Sequence, residues 1–452
     1  MITSLRCRHF KCFKDTGTVR LAPITLLVGE NNSGKSSLLQ ALHIAALTLQ
    51  SEDPSISLRL VHEDYDYGTF RDLAYSHDEG SHLELSYGCR ATLRSDNEAE
   101  GARKIISVTM HLTFGFLRRR KEIYLHRFAV EDHEGERMAV VPAKYKRSQN
   151  VVIRGHEEKG RFLSRWFQRR NFVFQPTKDP LTTYLQLQRK YGQEAAAEFF
   201  QALYIDMQLI GEITTSLRNV HHLGPLRVPP RRVYHHSGEF AKRLGARGEL
   251  ALQNYARLRR RGTKEDIETA EAIDNALYRL GFIKQFALKR LGGLGGRHQE
   301  FRTQHASSSL EASLADTGFG ASQVLPVLIS LFTAEPGATL MYEQPELHLH
   351  PAAQAELGSI FAQVASDDKR LVIETHSESL ILRLMTEVAK GALKPEDIAV
   401  YYALPKKQGH ELRLLPLSKD GQFLAEWPKG FFEETYREAL ELSRCRGRKG
   451  GR

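Results

Sequence analysis

The pattern of apolar and polar positions changes character three times along the chain. Residues 2–10 and 17–28 read as strands about a turn at Lys14-Asp15-Thr16-Gly17, and the second closes on the apolar run Ile24-Thr25-Leu26-Leu27-Val28. A short run without alternation suits a strand covered on both faces. Residues 81–94, 104–116 and 121–131 alternate instead, as in His82-Leu83-Glu84-Leu85-Ser86-Tyr87, which is the period of half-buried antiparallel strands. Residues 180–218 and 239–281 carry helical spacing, the first with Asp179-Pro180 as its start signal. Between them, the prolines of Leu223-Gly224-Pro225-Leu226-Arg227-Val228-Pro229-Pro230-Arg231-Arg232 keep the chain extended. Gly-Gly-Leu-Gly-Gly at 292–296 marks a flexible turn. From about residue 311, helices at 324–332, 351–364 and 378–390 alternate with strands at 338–342, 370–374 and 397–403. That order predicts a parallel sheet with ligand chemistry at the strand ends. The fold class expected is α/β, a mixed sheet with an antiparallel subdomain. Residues 1–135 and 306–452 form the two lobes of one split domain, and 136–305 is a largely helical insertion.

The apolar run at 24–28 leads directly into Gly29-Glu30-Asn31-Asn32-Ser33-Gly34-Lys35-Ser36, followed by the helical Ser37-Leu38-Leu39-Gln40-Ala41-Leu42. Strand, G-x-x-x-x-G-K-S loop and helix in this order make a phosphate cradle. Gly29 and Gly34 permit backbone conformations and close approaches that a side chain would block. The N–H groups of Asn31, Asn32, Ser33 and the helix start face a phosphate. Lys35 reaches its β- and γ-oxygens, and Ser36 holds Mg²⁺. The cofactors expected are therefore ATP and Mg²⁺, and Ser37 completes the cradle.

Composition adds constraints rather than chemistry. The 452 residues are 41% hydrophobic, enough for more than one core, and no uninterrupted apolar stretch has the length of a membrane span. The first residues lack an apolar signal region, and the four scattered cysteines suit free thiols in a reducing cytoplasm. The net charge of +10 gathers at Arg118-Arg119-Arg120-Lys121, Arg257 to Arg261 and Arg444 to Lys449. Such clusters favour nucleic acid or another anionic partner; the plainer reading is a solvated basic face. Trp166-Phe167 among arginines could stack on bases, but aromatic burial is the commoner use. His221-His222, His235-His236 and His348/His350 lack the further ligands of a metal site and read as structural.

Three further strings complete the candidate chemistry. Glu343-Gln344-Pro345-Glu346-Leu347-His348-Leu349-His350-Pro351 follows the strand at 338–342 and puts Glu343 where an acid can hold Mg²⁺, through a water. Ile373-Glu374-Thr375-His376-Ser377-Glu378 ends the next strand, placing His376 near a γ-phosphate. Asp316-Thr317-Gly318-Phe319-Gly320-Ala321-Ser322-Gln323 opens a helix and offers a second anion site. One nucleotide seldom needs two such helix starts, so the second would serve the nucleotide of a neighbouring copy.

With these strings in this order, the chain resembles the ABC-type ATPase heads related to the chromosome-maintenance and RecF/Rad50 proteins. It is most similar to the OLD-like, AAA15/AAA21-type branch, and its closing Trp427-Pro428-Lys429-Gly430-Phe431-Phe432 resembles a C-terminal module of unknown function. The resemblance implies Glu343 as the Mg²⁺ acid, His376 as the switch histidine, and Gly318, Gly320 and Ser322 as the signature that acts across a homodimer or larger oligomer of heads. Two departures stand out. Gln344 takes the place of the usual water-activating glutamate, and an amide cannot accept a proton at neutral pH. Hydrolysis is then slow, unless Glu346 substitutes. Gly318-Phe319-Gly320 replaces the usual Ser-x-Gly, leaving Thr317 or Ser322 as the hydroxyl for the neighbour's phosphate. Tyr67 to Leu73 is the candidate for the glutamine-loop region. The resemblance further implies a cytoplasmic sensor or scaffold subunit of a bacterial anti-phage system, controlling a separately encoded nuclease or toxin. The alternative is a DNA repair or maintenance ATPase of RecF/Rad50 type that clamps DNA.

Overall fold

The computed structural model describes residues 1–62, 65–94, 103–142, 149–154, 167–176, 180–235, 240–283, 285–291, 298–304, 311–366 and 368–425. The glycine-rich turn at 292–296, Trp166, His236, the basic tail at 444–449 and the string at 427–432 lie outside the described residues.

A six-stranded sheet organises the molecule. Its order is Val220–Leu223, Ala338–Glu343, Lys369–Glu374, Ile24–Gly29, Ile398–Leu404, Glu411–Leu415. The first five strands run parallel and the last is antiparallel. Each parallel strand divides its side chains between two cores, as a pleat covered on both faces must. Leu27, Met341, Val372 and Ala399 enter one core. Leu26, Leu340, Ile373 and Val400 enter the other. The first core also takes in helix Lys35–Leu49, helix Gln193–Arg218 and an antiparallel sheet. The second is covered by helices Ala251–Arg261, Lys264–Arg279, Phe319–Thr333, Pro351–Val364 and Glu378–Ala389.

The antiparallel sheet has the path Gln149–Ile153, Gly135–Pro142, Glu122–Asp132, Arg103–Leu117, Leu83–Arg94, Ile2–Phe10, Phe13–Asp15, with Val19–Arg20 also paired to Ile2–Phe10. The alternation read at 81–131 is therefore realised: Leu83, Leu85 and Tyr87 are buried, while Glu84 and Ser86 are partly exposed. Among the described residues, no helix is long and apolar enough to cross a membrane.

The stretch 136–305 differs from its expected helical character. It does contain the helices Pro180–Tyr191, Gln193–Arg218, Ala251–Arg261 and Lys264–Arg279. It also supplies strands to four sheets, one of them the two-stranded pair Phe167–Arg170 and Val173–Pro176. Gln149–Ile153 extends the antiparallel sheet, and Gln285–Leu291 pairs with His298–Gln304 in a small separate sheet. Val220–Leu223 forms the edge of the parallel sheet itself. The reason is local: Val-His-His-Leu is too short and too polar to show a strand period, and its pairing with Thr339 to Tyr342 is decided by tertiary contact. Strands of this stretch thus share sheets with strands from both flanking regions.

Leu340 is fully buried in the second core, whereas Leu382 is half exposed. Leu340→Ala is expected to cost about 2–5 kcal/mol of unfolding free energy, by lost burial plus a cavity. Leu382→Ala should cost less than about 0.5 kcal/mol. Equilibrium denaturation of both variants beside the parent checks the difference.

Candidate functional site

The phosphate-loop strand Ile24–Gly29 sits between Lys369–Glu374 and Ile398–Leu404, and all three end at the same edge of the sheet. Gly29 takes φ +135°, and a Cβ there would stand 2.6 Å from the Ala403 carbonyl oxygen. Gly34 takes φ +96°, and a Cβ there would stand 2.5 Å from the Cys12 sulfur. Both positions therefore require glycine, by conformation and by space. The loop turns into helix Lys35–Leu49, whose first N–H groups face back along it.

A cavity of about 800 Å³ opens over this loop. Asn31, Asn32, Ser33, Gly34, Lys35, Ser36 and Ser37 form its floor, and Gln344, Glu374 and His376 reach it from the neighbouring strand ends. Another wall is lined by Lys11 and Cys12 beside Asp72, Ser76 and His77, with the Cys12 sulfur 3.9 Å from Ser37 Oγ of the floor. Asp72 belongs to the segment read as the glutamine-loop candidate. Its carboxylate accepts from the Thr69 backbone N–H and hydroxyl, each at 2.7 Å, and so fixes that wall.

Lys35 is the cation of the loop. Its Nζ donates to the carbonyls of Gly29 at 3.0 Å and Glu30 at 2.6 Å, and burial lowers its pKa. The Ser33 side chain is buried, its hydroxyl without a hydrogen-bond partner among the described residues, and its carbonyl accepts from His410 Nδ1 at 2.9 Å. An orphaned hydroxyl, a buried ammonium and two glycines that only a bare backbone satisfies fit an anionic phosphate. Mg²⁺ is usually held by one or two carboxylates together with substrate phosphates, not by an all-protein cage. That agrees with the described residues, which contain no cluster of three or more ligating side chains.

The acids are distributed differently from expectation. Ser36 Oγ donates to Glu374 Oε2 at 2.7 Å. Glu343, the acid expected beside Ser36, instead accepts from His222 Nε2 at 2.7 Å. Its carbonyl and that of Gln344 accept from the Arg227 guanidinium at 2.8 and 3.0 Å. Gln344 itself sits at φ +45°, and its N–H donates to the Glu374 carbonyl at 2.8 Å. That turn sends the next acid inward. Glu346 is buried, its Oε1 accepting from the Thr375 hydroxyl at 2.6 Å and the His376 N–H at 3.0 Å. It does not line the cavity. Glu346, the expected substitute base, thus bonds the start of the His376 loop from a buried position. Burial raises its pKa and that of Glu374, and lowers that of His376.

Gly318, Gly320 and Ser322 open helix Phe319–Thr333 and do not line this cavity. A Cβ on Gly320 would lie 2.9 Å from the His348 carbonyl oxygen, so the helix start packs on the loop that carries Gln344 and Glu346. Ser322 is buried, and the Thr317 hydroxyl donates to the Leu314 carbonyl at 2.8 Å. Of this string, Gly318 is exposed. Three residues that sequence reasoning left without a role now have one: Glu374, His222 and Arg227. Their signals were an acid ending a buried strand, a histidine pair read as structural, and an arginine inside a proline-held segment.

Residues 1–74 and 255–381 match the AAA_15 family model, described as an AAA ATPase domain, and 393–442 match DUF3696, a protein family of unknown function. The first match includes the phosphate loop, Glu343, Glu374 and His376. A stretch of 63 residues is 41% identical to the DNA replication and repair protein RecF of Synechococcus sp. (strain JA-2-3B'a(2-13)), covering 14% of this chain and 16% of that relative. The chain therefore spans well under two thirds of the relative's length. Among solved structures, an SmcHead bound to the C-winged helix domain of ScpA aligns over 92% of this chain and 98% of its own, at 11% identity and TM-score 0.43. An Smc head from Pyrococcus furiosus bound to the C-terminal domain of ScpA covers 98% and 99% at 12% identity and TM-score 0.40. The SMC head domain from Thermotoga maritima covers 92% and 99% at 8% identity and TM-score 0.37. Residues 1–74 and 255–381 are thus similar to an AAA ATPase domain.

Removing the Lys35 ammonium deletes charge-assisted bonds to phosphate, each worth about 1.5–3 kcal/mol. Lys35→Ala is therefore expected to weaken ATP binding about tenfold or more, measured by calorimetric titration.

Proposed function

We propose that the chain is an ATP-binding, slowly hydrolysing ABC-type ATPase that acts as a switch, the sensor or scaffold subunit that holds and releases a separate effector. The observation that carries this reading is Gln344 on the cavity wall, where a glutamate would activate water, with Glu346 turned away into the protein. A site with a complete phosphate floor and no base at that position favours retention of ATP over rapid turnover.

In this reading, the loop N–H groups and Lys35 bind the triphosphate, and Lys11 and Cys12 flank it. Mg²⁺ would neutralise the β- and γ-phosphate charge, held by Ser36 and a strand-end acid. His376 reads the γ-phosphate from a loop braced by Glu346. The exposed Gly318 turn is offered to the nucleotide of a second copy, so that ATP joins heads into a dimer or larger oligomer. By resemblance to the OLD-like group, the effector is a separately encoded nuclease or toxin, and the setting is cytoplasmic anti-phage defence in bacteria.

A second reading is a DNA-clamping repair ATPase. It is favoured by the exposed corner Arg118 to Lys121 and by the stretch similar to RecF. Under that reading, duplex DNA binds in a salt-dependent manner and weakens when Arg118 to Lys121 are neutralised.

Light scattering without nucleotide and with ATP–Mg²⁺, run beside phosphate release, tests the switch. The expected result is ATP-stabilised assembly with slow turnover, and phosphate release faster by about tenfold or more in Gln344→Glu, since a positioned base contributes about 10²–10⁴-fold. Brisk turnover of the parent chain with no gain in the variant would overturn it. Co-expression with neighbouring gene products, followed by purification, tests for the effector; no associated protein would remove that part of the reading.

A further inference from the structure

We propose that a second cavity, between the far half of the phosphate-loop helix and the edge of the parallel sheet, is a binding site for a small oxyanion, a single phosphate or a short carboxylate. The inference stands apart from the nucleotide reading above.

The cavity measures about 210 Å³, against about 800 Å³ over the phosphate loop, and the two share no lining residue among those described. Helix Lys35–Leu49 contributes His43 and Leu47, strand Val220–Leu223 lies along the cavity, and the loop from Arg243 to Leu250 closes it. That loop is fixed by backbone bonds. The Gly224 N–H donates to the Ala246 carbonyl at 2.8 Å, and the Leu250 N–H to the Leu244 carbonyl at 2.9 Å. The shape is therefore formed in advance, as small-ligand sites usually are.

The chemistry of the wall is one-sided. Its polar side chains include Arg243, Gln50 and the histidines at 43, 62, 221 and 222, and no aspartate or glutamate lines it among the described residues. Three of these side chains carry a buried nitrogen without a hydrogen-bond partner among the described residues: Arg243 Nε, Gln50 Nε2 and His62 Nδ1. The first two are obligate donors, and a neutral imidazole can present a donor at either nitrogen. An unpaired buried donor costs its full desolvation, so three in one wall call for an acceptor from outside the chain.

Arg243 is anchored for that purpose. Its Nη2 donates to the Arg218 carbonyl at 2.6 Å, at the end of helix Gln193–Arg218. Its charge is felt across the cavity: burial lowers the pKa of His43 and takes that of His221 to about 4, with Arg243 contributing at both. A fixed cation among neutral rings, with no acid beside it, attracts an anion and repels a cation. Four histidines around one cavity could suggest a metal, but no three ligating side chains converge among the described residues. His43 and His222 are engaged instead with the Tyr67 hydroxyl and Glu343. Size then selects among anions, since a nucleoside triphosphate needs the larger cavity and a single oxyanion group the smaller. One ring joins the two regions: His222 lines this cavity, and its Nε2 donates to Glu343 at 2.7 Å.

The test is calorimetric titration with inorganic phosphate and, separately, succinate. Lys35→Ala is the background, because the phosphate loop would itself take phosphate. Binding of at least one probe is expected, and the tighter probe identifies the occupant as phosphate or carboxylate. Adding Arg243→Gln should weaken that binding about tenfold or more, whereas Lys242→Gln, at an exposed neighbour, should change it less than about twofold. Gln50→Leu is the second variant. It removes an orphaned donor, so it should raise the melting temperature of the unliganded chain while weakening probe binding about fivefold. A side chain with a structural role alone would not separate those two effects. Failure of both probes to bind at millimolar concentration, or binding that survives both Arg243→Gln and Gln50→Leu, would overturn the assignment.

Discussion

Arg227 is 2% exposed, and its guanidinium makes hydrogen bonds to three backbone carbonyls, those of Pro225, Glu343 and Gln344. A buried cation is expensive to desolvate unless polar groups surround it. Here the surrounding groups are the backbone oxygens of the site itself, with Glu343 and Glu346 adding favourable charge, and burial still lowers its pKa to about 10. The consequence is mutual dependence. The cation is stable only if the turn at Gln344 is formed, and the turn holds its positive φ only while its carbonyls are bound. From that turn follow the inward direction of Glu346, the brace on the His376 loop and the packing of the Gly320 helix start against His348. A lysine, with a point charge and no fork, could not bind the two carbonyls in the same geometry.

The nucleotide site depends on which strands are neighbours as much as on which residues are present. Glu343 and Glu374 are both acids ending buried strands, and along the chain Glu343 looks the better metal acid because a motif surrounds it. Glu374 borders the phosphate-loop strand, and Glu343 borders the edge strand that carries His222.

This explains what could be read in the sequence and what could not. The phosphate loop was legible because its chemistry is local: glycines at special φ, lysine and serine at fixed offsets, a helix directly behind. The alternating strands of the antiparallel lobe and the strand–helix order after residue 311 were legible because their periods persist over many residues. Val220–Leu223 was not, since four residues with two central histidines carry no period, and only pairing to the neighbouring strand makes them a strand. The strands within 136–305 were lost for a related reason, as charged sequences such as Gln285–Leu291 acquire strand character from the partner across the sheet. The burial of Glu346 was not legible either, because the left-handed backbone at Gln344 leaves no trace in spacing.

The phosphate-loop strand lies between two strands that come from the far end of the chain. During translation it emerges early, together with its loop and helix, and for most of synthesis both its edges are unpaired. Lys369–Glu374 is not made until the ribosome has passed residue 374, nor Ile398–Leu404 until it has passed residue 404. At elongation speeds of about 5–20 residues per second, that wait is on the order of half a minute. A nascent chain of this kind cannot assemble its phosphate floor in passing. A chain truncated before residue 369 would leave the phosphate-loop strand without either of the strands that flank it.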